Sequence, residues 1–351
     1  MGLAERLLDV LGRPFRIAGT DIKTSASIGI TFSSIGYATP SDMLRDADVA
    51  MYKAKANGRA RYATFDALLQ TEVSHRGRLE RDLRSALAAG DMSVVYQPIF
   101  DLESRRITGF EALARWNHPE LGPISPLSFI AIAEEAGLII PLTDFMLRSA
   151  CRQLREWHLL DDSLSELSIH VNVSGNDIAH RGLLDRVSAA IEKAQLQPRH
   201  LTLELAQNIL IERLEAALPT LNELRAFGVG LSLDDFGSGY SSLRHLSALP
   251  VTSLKIDRGF VQKLQRGSGE AAVLRAIVLL GASLGKSIIA EGIESGEQME
   301  QLRLLGCRVG QGYHLARPLA AGLIGKMLAG LLSSARARQG RERVSAEARL
   351  H

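Results

Sequence analysis

The stretch ITGFEALARW, residues 107–116, decides the fold once it is set beside six others further along the chain. These are IHVNVS (169–174), LTLELA (201–206), LSLDDFGSG (231–239), LKID (254–257), IIAEGIE (288–294) and VGQGY (309–313). Each is a short apolar run that ends on or just beyond polar side chains: Glu111, Asn172, Glu204, Asp234 with Asp235, Lys255, Glu291 and Gln311. A helical pattern follows most of them. Strand–helix alternation of this length predicts a mostly parallel sheet, and eight strands would close a β/α barrel. Barrels of that kind keep their chemistry at the C-terminal ends of the strands, so these side chains predict one composite site.

Working outward, VVYQPIF (94–100) forms a hairpin with ITGFEALARW around a turn at Ser104-Arg105-Arg106, so one strand is expected to run against the others. The helical patterns include LSFIAIAEEAG, TDFMLRSACRQLREW, GLLDRVSAAIEKAQ, IERLEAALPTLNELRAFG, GEAAVLRAIVLLGASLG and GEQMEQLRLLG, several stopping at a glycine. The barrel is assigned to 92–325 and a connecting helix to 67–91, with Leu79, Leu83 and Leu87 at four-residue spacing. Residues 1–66 read as helix, strand, helix, strand, with Ser41 as a helix N-cap and Asn57-Gly58 as its stop. Residues 326–351, rich in arginine, read as a basic disordered tail.

The 351 residues are 46% apolar, enough for a large core, and a formal net charge of +2 selects no nucleic acid polymer as partner. Cys151 and Cys307 are too few for a disulfide framework and read as small buried residues in a reducing compartment. The most apolar stretch, AAVLRAIVLLGASLGKSIIA, is interrupted by Arg275 and Lys286 and ends at Glu291, so it reads as helix, loop and strand rather than a membrane span. A cytoplasmic location is the expectation.

Glu111, Asn172, Glu204, Asp234, Asp235, Glu291 and Gln311 are hard oxygen donors, suited to Mg2+ or Mn2+. Zinc would call for histidine or cysteine at these strand ends. Adjacent Asp234 and Asp235 suit a pair of cations, and such a pair suits phosphodiester hydrolysis. Lys255 is the only cation in the set; its alternative is an ion pair with Asp257. Arg115 alternates onto the face of Glu111 and Leu113, where it can hold a phosphate. The loop Gly237, Ser238, Gly239 and Ser241 reads either as a mobile lid or as an ordinary turn. His118, His170, His245 and His314 are scattered and are not read as catalytic.

At these residues the chain resembles the EAL family of cyclic di-GMP phosphodiesterases. The resemblance runs from about residue 76 to 325 through YQPI (96–99), EALARW (111–116), VNVS (171–174), DDFGSGYSSL (234–243), KID (255–257), AEGIE (290–294) and QGY (311–313). It implies a TIM-like (β/α)8 barrel with one antiparallel strand, two Mg2+ or Mn2+ ions, and hydrolysis of cyclic di-GMP to linear pGpG. By matching position it makes Glu111, Asn172, Glu204, Asp234 and Asp235 metal ligands, and Lys255, Glu291 and Gln311 catalytic. It makes Gln97, Leu113 and Arg115 substrate contacts and Glu294 a supporting residue, and it implies a homodimer. Residues 1–66 resemble the C-terminal part of a GGDEF domain through SASIGITF and ADVAMYKAKANGRARY, without the signature itself, so cyclase activity is not expected.

One motif departs from the family. Where the family reads Glu-x-Thr-Glu, this chain reads Glu204-Leu205-Ala206-Gln207. Gln207 keeps hydrogen-bonding capacity at a supporting position but loses a charge. The expectation is weakened metal affinity or turnover, and it leaves open a receptor that binds without hydrolysis, or a scaffold.

Overall fold

The computed structural model describes residues 2–17, 20–237, 243–264 and 269–333. The chain divides into two compact units, residues 1–81 and 82–351. The helix Ala67–Ala89 spans the division.

In the second unit eight strands form a closed ring: β1 (Met92–Asp101), β2 (Ile107–His118), β3 (Ser168–Val173), β4 (Leu201–Ala206), β5 (Gly230–Phe236), β6 (Ser253–Ile256), β7 (Ser287–Ala290) and β8 (Val309–Gly310). Neighbours from β2 to β8 pair in parallel. β1 is antiparallel to both β2 and β8 and completes the ring. The reversal expected from the turn is present, and Arg105 takes a left-handed φ of 54° there. This is a TIM-like (β/α)8 barrel with one strand reversed.

The parallel strands are buried on both faces, which is why they read as nearly continuous apolar runs: the first five residues of β4 and all four of β6 are buried. Helices cover the outside. Ile139–His158 buries Leu142, Met146, Leu147, Leu154 and Trp157 on one face. The Trp157 ring lies 4.9 Å from that of Tyr96 on β1 and 4.5 Å from that of Phe110 on β2. Gly228 caps the helix Gln207–Phe227 in the left-handed region, and Gly306 takes the same conformation after Gly296–Leu304. Each turns the chain toward the next strand. The apolar stretch weighed as a span is the helix Gly269–Ser283, a left-handed Gly285 and β7. Among the described residues no helix is long and apolar enough to cross a membrane. Cys151 and Cys307 are buried and free.

The chain is helical over 321–333, where Ile324 and Leu328 are fully buried. Residues 326–333 are therefore helix where the sequence suggested the start of a tail: Leu328, one turn beyond Ile324, extends an apolar stripe. Residues 334–351 lie outside the described ones.

The first unit has a helix Gly2–Gly12, an antiparallel pair Phe15–Ile17 with Thr20–Ile22, and a parallel pair Ile28–Ile30 with Tyr62–Thr64. The helix Pro40–Ala56 stops at Asn57-Gly58 as expected, but its N-cap is Thr39, whose hydroxyl accepts from the Asp42 N–H. Pro40 fits the first helical position, which leaves Ser41 inside the helix. Its core is small, centred on Ala50 and Phe65.

One helix start is poorly made. Ala206, the N-cap of Gln207–Phe227, has no side chain to accept from the helix's free N–H groups. Ala206→Thr supplies that acceptor. It should stabilise the protein by about 1 kcal/mol, read as a higher urea midpoint at unchanged slope.

Candidate active site

The strand register sets the site. Glu111 on β2 lies level with Gln97 on β1 and with His170 on β3. Asn172 lies two residues further along β3, level with Glu204 on β4. Residues two apart on a strand share a face, so His170 and Asn172 point the same way. Ser232 pairs with Glu204, which places Asp234 one step beyond on the same face of β5.

Asp234 and Asp235 are adjacent and would point to opposite faces of a regular strand. The register shifts between Leu233 and Phe236, and Asp235 adopts a left-handed φ of 54°. That irregularity re-aims the pair. Oxygens of Asp234, Asp235 and Glu291 all lie within 4.8 Å of one another, a group that can hold a cation.

Lys255 joins the other carboxylates. Its Nζ lies 2.7 Å from Glu204 Oε2, 2.7 Å from Glu291 Oε1, 3.2 Å from Glu111 Oε2 and 3.7 Å from Asp234 Oδ1. Asp257, the alternative partner weighed from sequence, instead accepts from the Gly259 N–H at 2.9 Å. Gln311 Nε2 donates to Glu111 Oε2 at 2.6 Å and to Glu291 Oε1 at 2.8 Å, while its Oε1 is buried without a partner among the described residues. Asn172 Nδ2 donates to Glu111 Oε1 at 3.0 Å.

Two tight backbone positions fix Glu291 and Gln311. Gly292 has a φ of 69°, and a Cβ there would stand 2.6 Å from that of Arg258. A Cβ on Gly312 would collide with the backbone N and O of Ile293.

Electrostatics follow from burial. Burial opposes the charge on Glu111, but the Lys255 ammonium and the amides of Gln311 and Asn172 outweigh it and hold its pKa at about 2. Burial, then the charge of Glu111, pushes Glu204 well above the carboxylate range. Burial raises Glu291 to about 8 and also raises Asp234. Lys255 is buried, yet the surrounding carboxylates raise its pKa and keep it an ammonium.

His170 belongs to this cluster, contrary to the sequence reading. Its Nδ1 is 2.9 Å from Glu204 Oε1, and burial together with Lys255 lowers its pKa to about 3, so the ring is neutral. A single hydrogen bond between its Nδ1 and Glu204 Oε1 joins the two side chains. The signal was its position two residues before Asn172 on one strand.

Beside the carboxylates is a cavity of about 250 Å3 lined by Leu113, Arg115, Asn172, Ser174 and Ala206, among others. Arg115 Nη1 donates to the Ala114 carbonyl at 2.8 Å. Gln97 Nε2 donates to the Ala316 carbonyl at 3.3 Å, binding β1 to the segment after β8. Glu294 is exposed and outside the cluster; its Oε1 accepts from Gln262 Nε2 at 3.1 Å and links the segments after β6 and β7. The side chain of Gln207 lies outside the described ones, as do Ser238, Gly239 and Ser241.

Residues 80–318 match the EAL domain model and residues 1–61 match that of the diguanylate cyclase, GGDEF domain. A bifunctional diguanylate cyclase/cyclic di-GMP phosphodiesterase, MucR of Pseudomonas aeruginosa, is 41% identical over 91% of this chain and 46% of its own length. The cyclic di-GMP phosphodiesterase NbdA of the same species is 34% identical over 90% of this chain and 40% of its own. The chain thus spans less than half the length of these curated relatives. A solved structure, the PaMucR phosphodiesterase in complex with c-di-GMP, superposes with a TM-score of 0.66 at 43% identity. It covers 70% of this chain and 99% of that one. The match over 80–318 makes the chain a member of the EAL domain family, with part of a GGDEF domain ahead of it.

Proposed function

We propose that this chain hydrolyses one phosphodiester bond of cyclic di-GMP, adding one water and opening the ring to linear pGpG, with two divalent cations, Mg2+ or Mn2+, in the site. The observation that carries this reading is the convergence of Glu111, Asn172, Glu204, Asp234, Asp235 and Glu291 around a single Lys255. MucR and NbdA, both described as cyclic di-GMP phosphodiesterases, support the substrate.

The residues fit the cations. Four carboxylates face one ammonium and Asp235 adjoins two of them, a formal charge of −4, which two divalent ions offset. The donors are all oxygen, as Mg2+ and Mn2+ prefer. Glu111, Asn172, Glu204, Asp234 and Asp235 would hold the ions, with Glu291 able to share in the group it forms with the aspartates. When bound, the cations supply Lewis acidity to the phosphate and lower the pKa of a water.

The remaining work falls to the chain. Lys255 stays protonated, so it offers positive charge and hydrogen bonds rather than acting as a base. The unpaired Oε1 of Gln311 is free to accept from the attacking water. Arg115 and Leu113 line the adjoining cavity, where a guanidinium suits a phosphate of the substrate. Gln97 holds the wall that carries the segment after β8. Glu294 supports that side of the site from outside. Ala206, with no side-chain cap, favours a second reading as a receptor with little turnover. A homodimer, a cytoplasmic setting and the absence of cyclase activity complete the proposal.

Purified protein with cyclic di-GMP should release pGpG with Mg2+ or Mn2+ and none with chelator. Glu111→Ala should lower kcat/KM by about 100-fold or more. Tight binding without product would establish the receptor instead. Gln207→Glu should strengthen Mg2+ binding by about 10-fold or more, measured by activity against Mg2+ concentration. An unchanged Mg2+ dependence would refute a role for that position.

The charge surplus also predicts a pH dependence. Without cations the folded protein keeps a proton on Glu291 up to about pH 8, whereas an ordinary glutamate loses it near 4.5. The folded state thus binds more protons across that window, and the stability this gives is lost as pH rises through it. Glu111 is shifted the other way, and its contribution is constant above about pH 5. His170, held neutral down to about pH 3, opposes this trend below about pH 6.5, so thermal melts of chelator-treated protein should fall from about pH 6.5 to about pH 8.5, and saturating Mg2+ should flatten that slope.

A further inference from the structure

A second hollow lies on the outside of the barrel, between the helices Ile139–His158 and Leu183–Ala194. Its volume is about 590 Å3, within the range of small-molecule sites. None of its lining residues belongs to the carboxylate cluster. Arg148, Arg152 and Arg155 line one side and Lys193 the other. Among the described residues, none of these four cationic groups makes an ion pair or a side-chain hydrogen bond. Glu156 also lines the hollow, and its carboxylate accepts from Gln153 Nε2 at 2.9 Å.

Helix dipoles account for part of this. Arg155 and Lys193 sit in the last turns of their helices, where a cation is favourable. Arg148 and Arg152 do not, and like charges four residues apart on a helix repel. Their cost is recovered when something anionic lies between them.

The spacing describes that occupant. At 1.5 Å rise per residue, Arg148 and Arg155 are about 10 Å apart along the helix. A single phosphate cannot reach both ends, but a chain of phosphates can. Phe145, Leu159, Ala190 and Ala194 add apolar surface to the same hollow. We infer that this hollow binds a nucleoside polyphosphate, with the phosphates along Arg148, Arg152 and Arg155 and the nucleoside on the apolar surface. The inference is independent of the hydrolase reading, because it uses none of that site's residues.

The test is calorimetric titration of the full chain with ATP, in chelator so that the carboxylate site cannot take part through metal. One saturable site at millimolar or lower ATP is expected, with adenosine failing to bind. The double variant Arg148→Ala/Arg152→Ala should weaken binding by about tenfold or more. Arg199→Ala/Arg303→Ala, which removes the same charge from ion-paired surface positions, should change it little. All three proteins should give the same circular dichroism spectrum. No saturable binding at millimolar ATP would overturn the inference. So would affinity that survives loss of Arg148 and Arg152, or that falls equally in the Arg199/Arg303 variant.

Discussion

The Lys255 ammonium, enclosed by Glu204, Glu291, Glu111 and Asp234, is the interaction on which the inside of this barrel depends. An isolated ammonium in that position would cost several kcal/mol of lost hydration, and so would each carboxylate. Together they survive because the carboxylates share the Lys255 ammonium, the amides of Gln311 and Asn172 and the His170 ring. The balance is uneven, since one positive charge faces more negative ones than it can offset. That imbalance makes the end of the barrel receptive to further cations, and it ties charge, protonation and metal binding to one another.

The fold serves this constraint. Eight strands deliver side chains to a ring, and strand alternation chooses which ones face inward. Three local irregularities complete the arrangement: the shifted register at Asp234-Asp235, the left-handed Gly292 after Glu291, and the Cβ-free approach of Gly312 to Ile293. Each costs regularity and secures the direction of a neighbouring polar group. Gln311 shows the benefit, because its amide bridges Glu111 and Glu291 across the mouth.

Much of this was legible in the sequence. The seven runs from ITGFEALARW to VGQGY are strands because apolar β-formers end abruptly in polar residues, and the turn at 104–106 announced the reversed strand. The convergence of Glu111, Asn172, Glu204, Asp234, Lys255 and Gln311 followed from their common place at strand ends. His170 was overlooked because a histidine inside an apolar run carries no motif; only its alternation with Asn172 marks it. The bulge that re-aims Asp235 has no composition signal, since aspartate tolerates a left-handed backbone without needing glycine. Thr39 rather than Ser41 caps its helix because Pro40 fits the first helical position. Glu294 stands apart from the cluster because, past the end of β7, strand alternation no longer dictates where a side chain points.

The central claim is that these carboxylates form a divalent-cation site. The most direct measurement is an anomalous difference map from crystals of this chain grown with Mn2+. Density should lie within coordination distance of Asp234, Asp235 and Glu291, and again between Glu111, Asn172 and Glu204, with Lys255 displaced from at least one carboxylate. A map without such density, with Lys255 still bridging Glu204 and Glu291 at saturating Mn2+, would contradict the account.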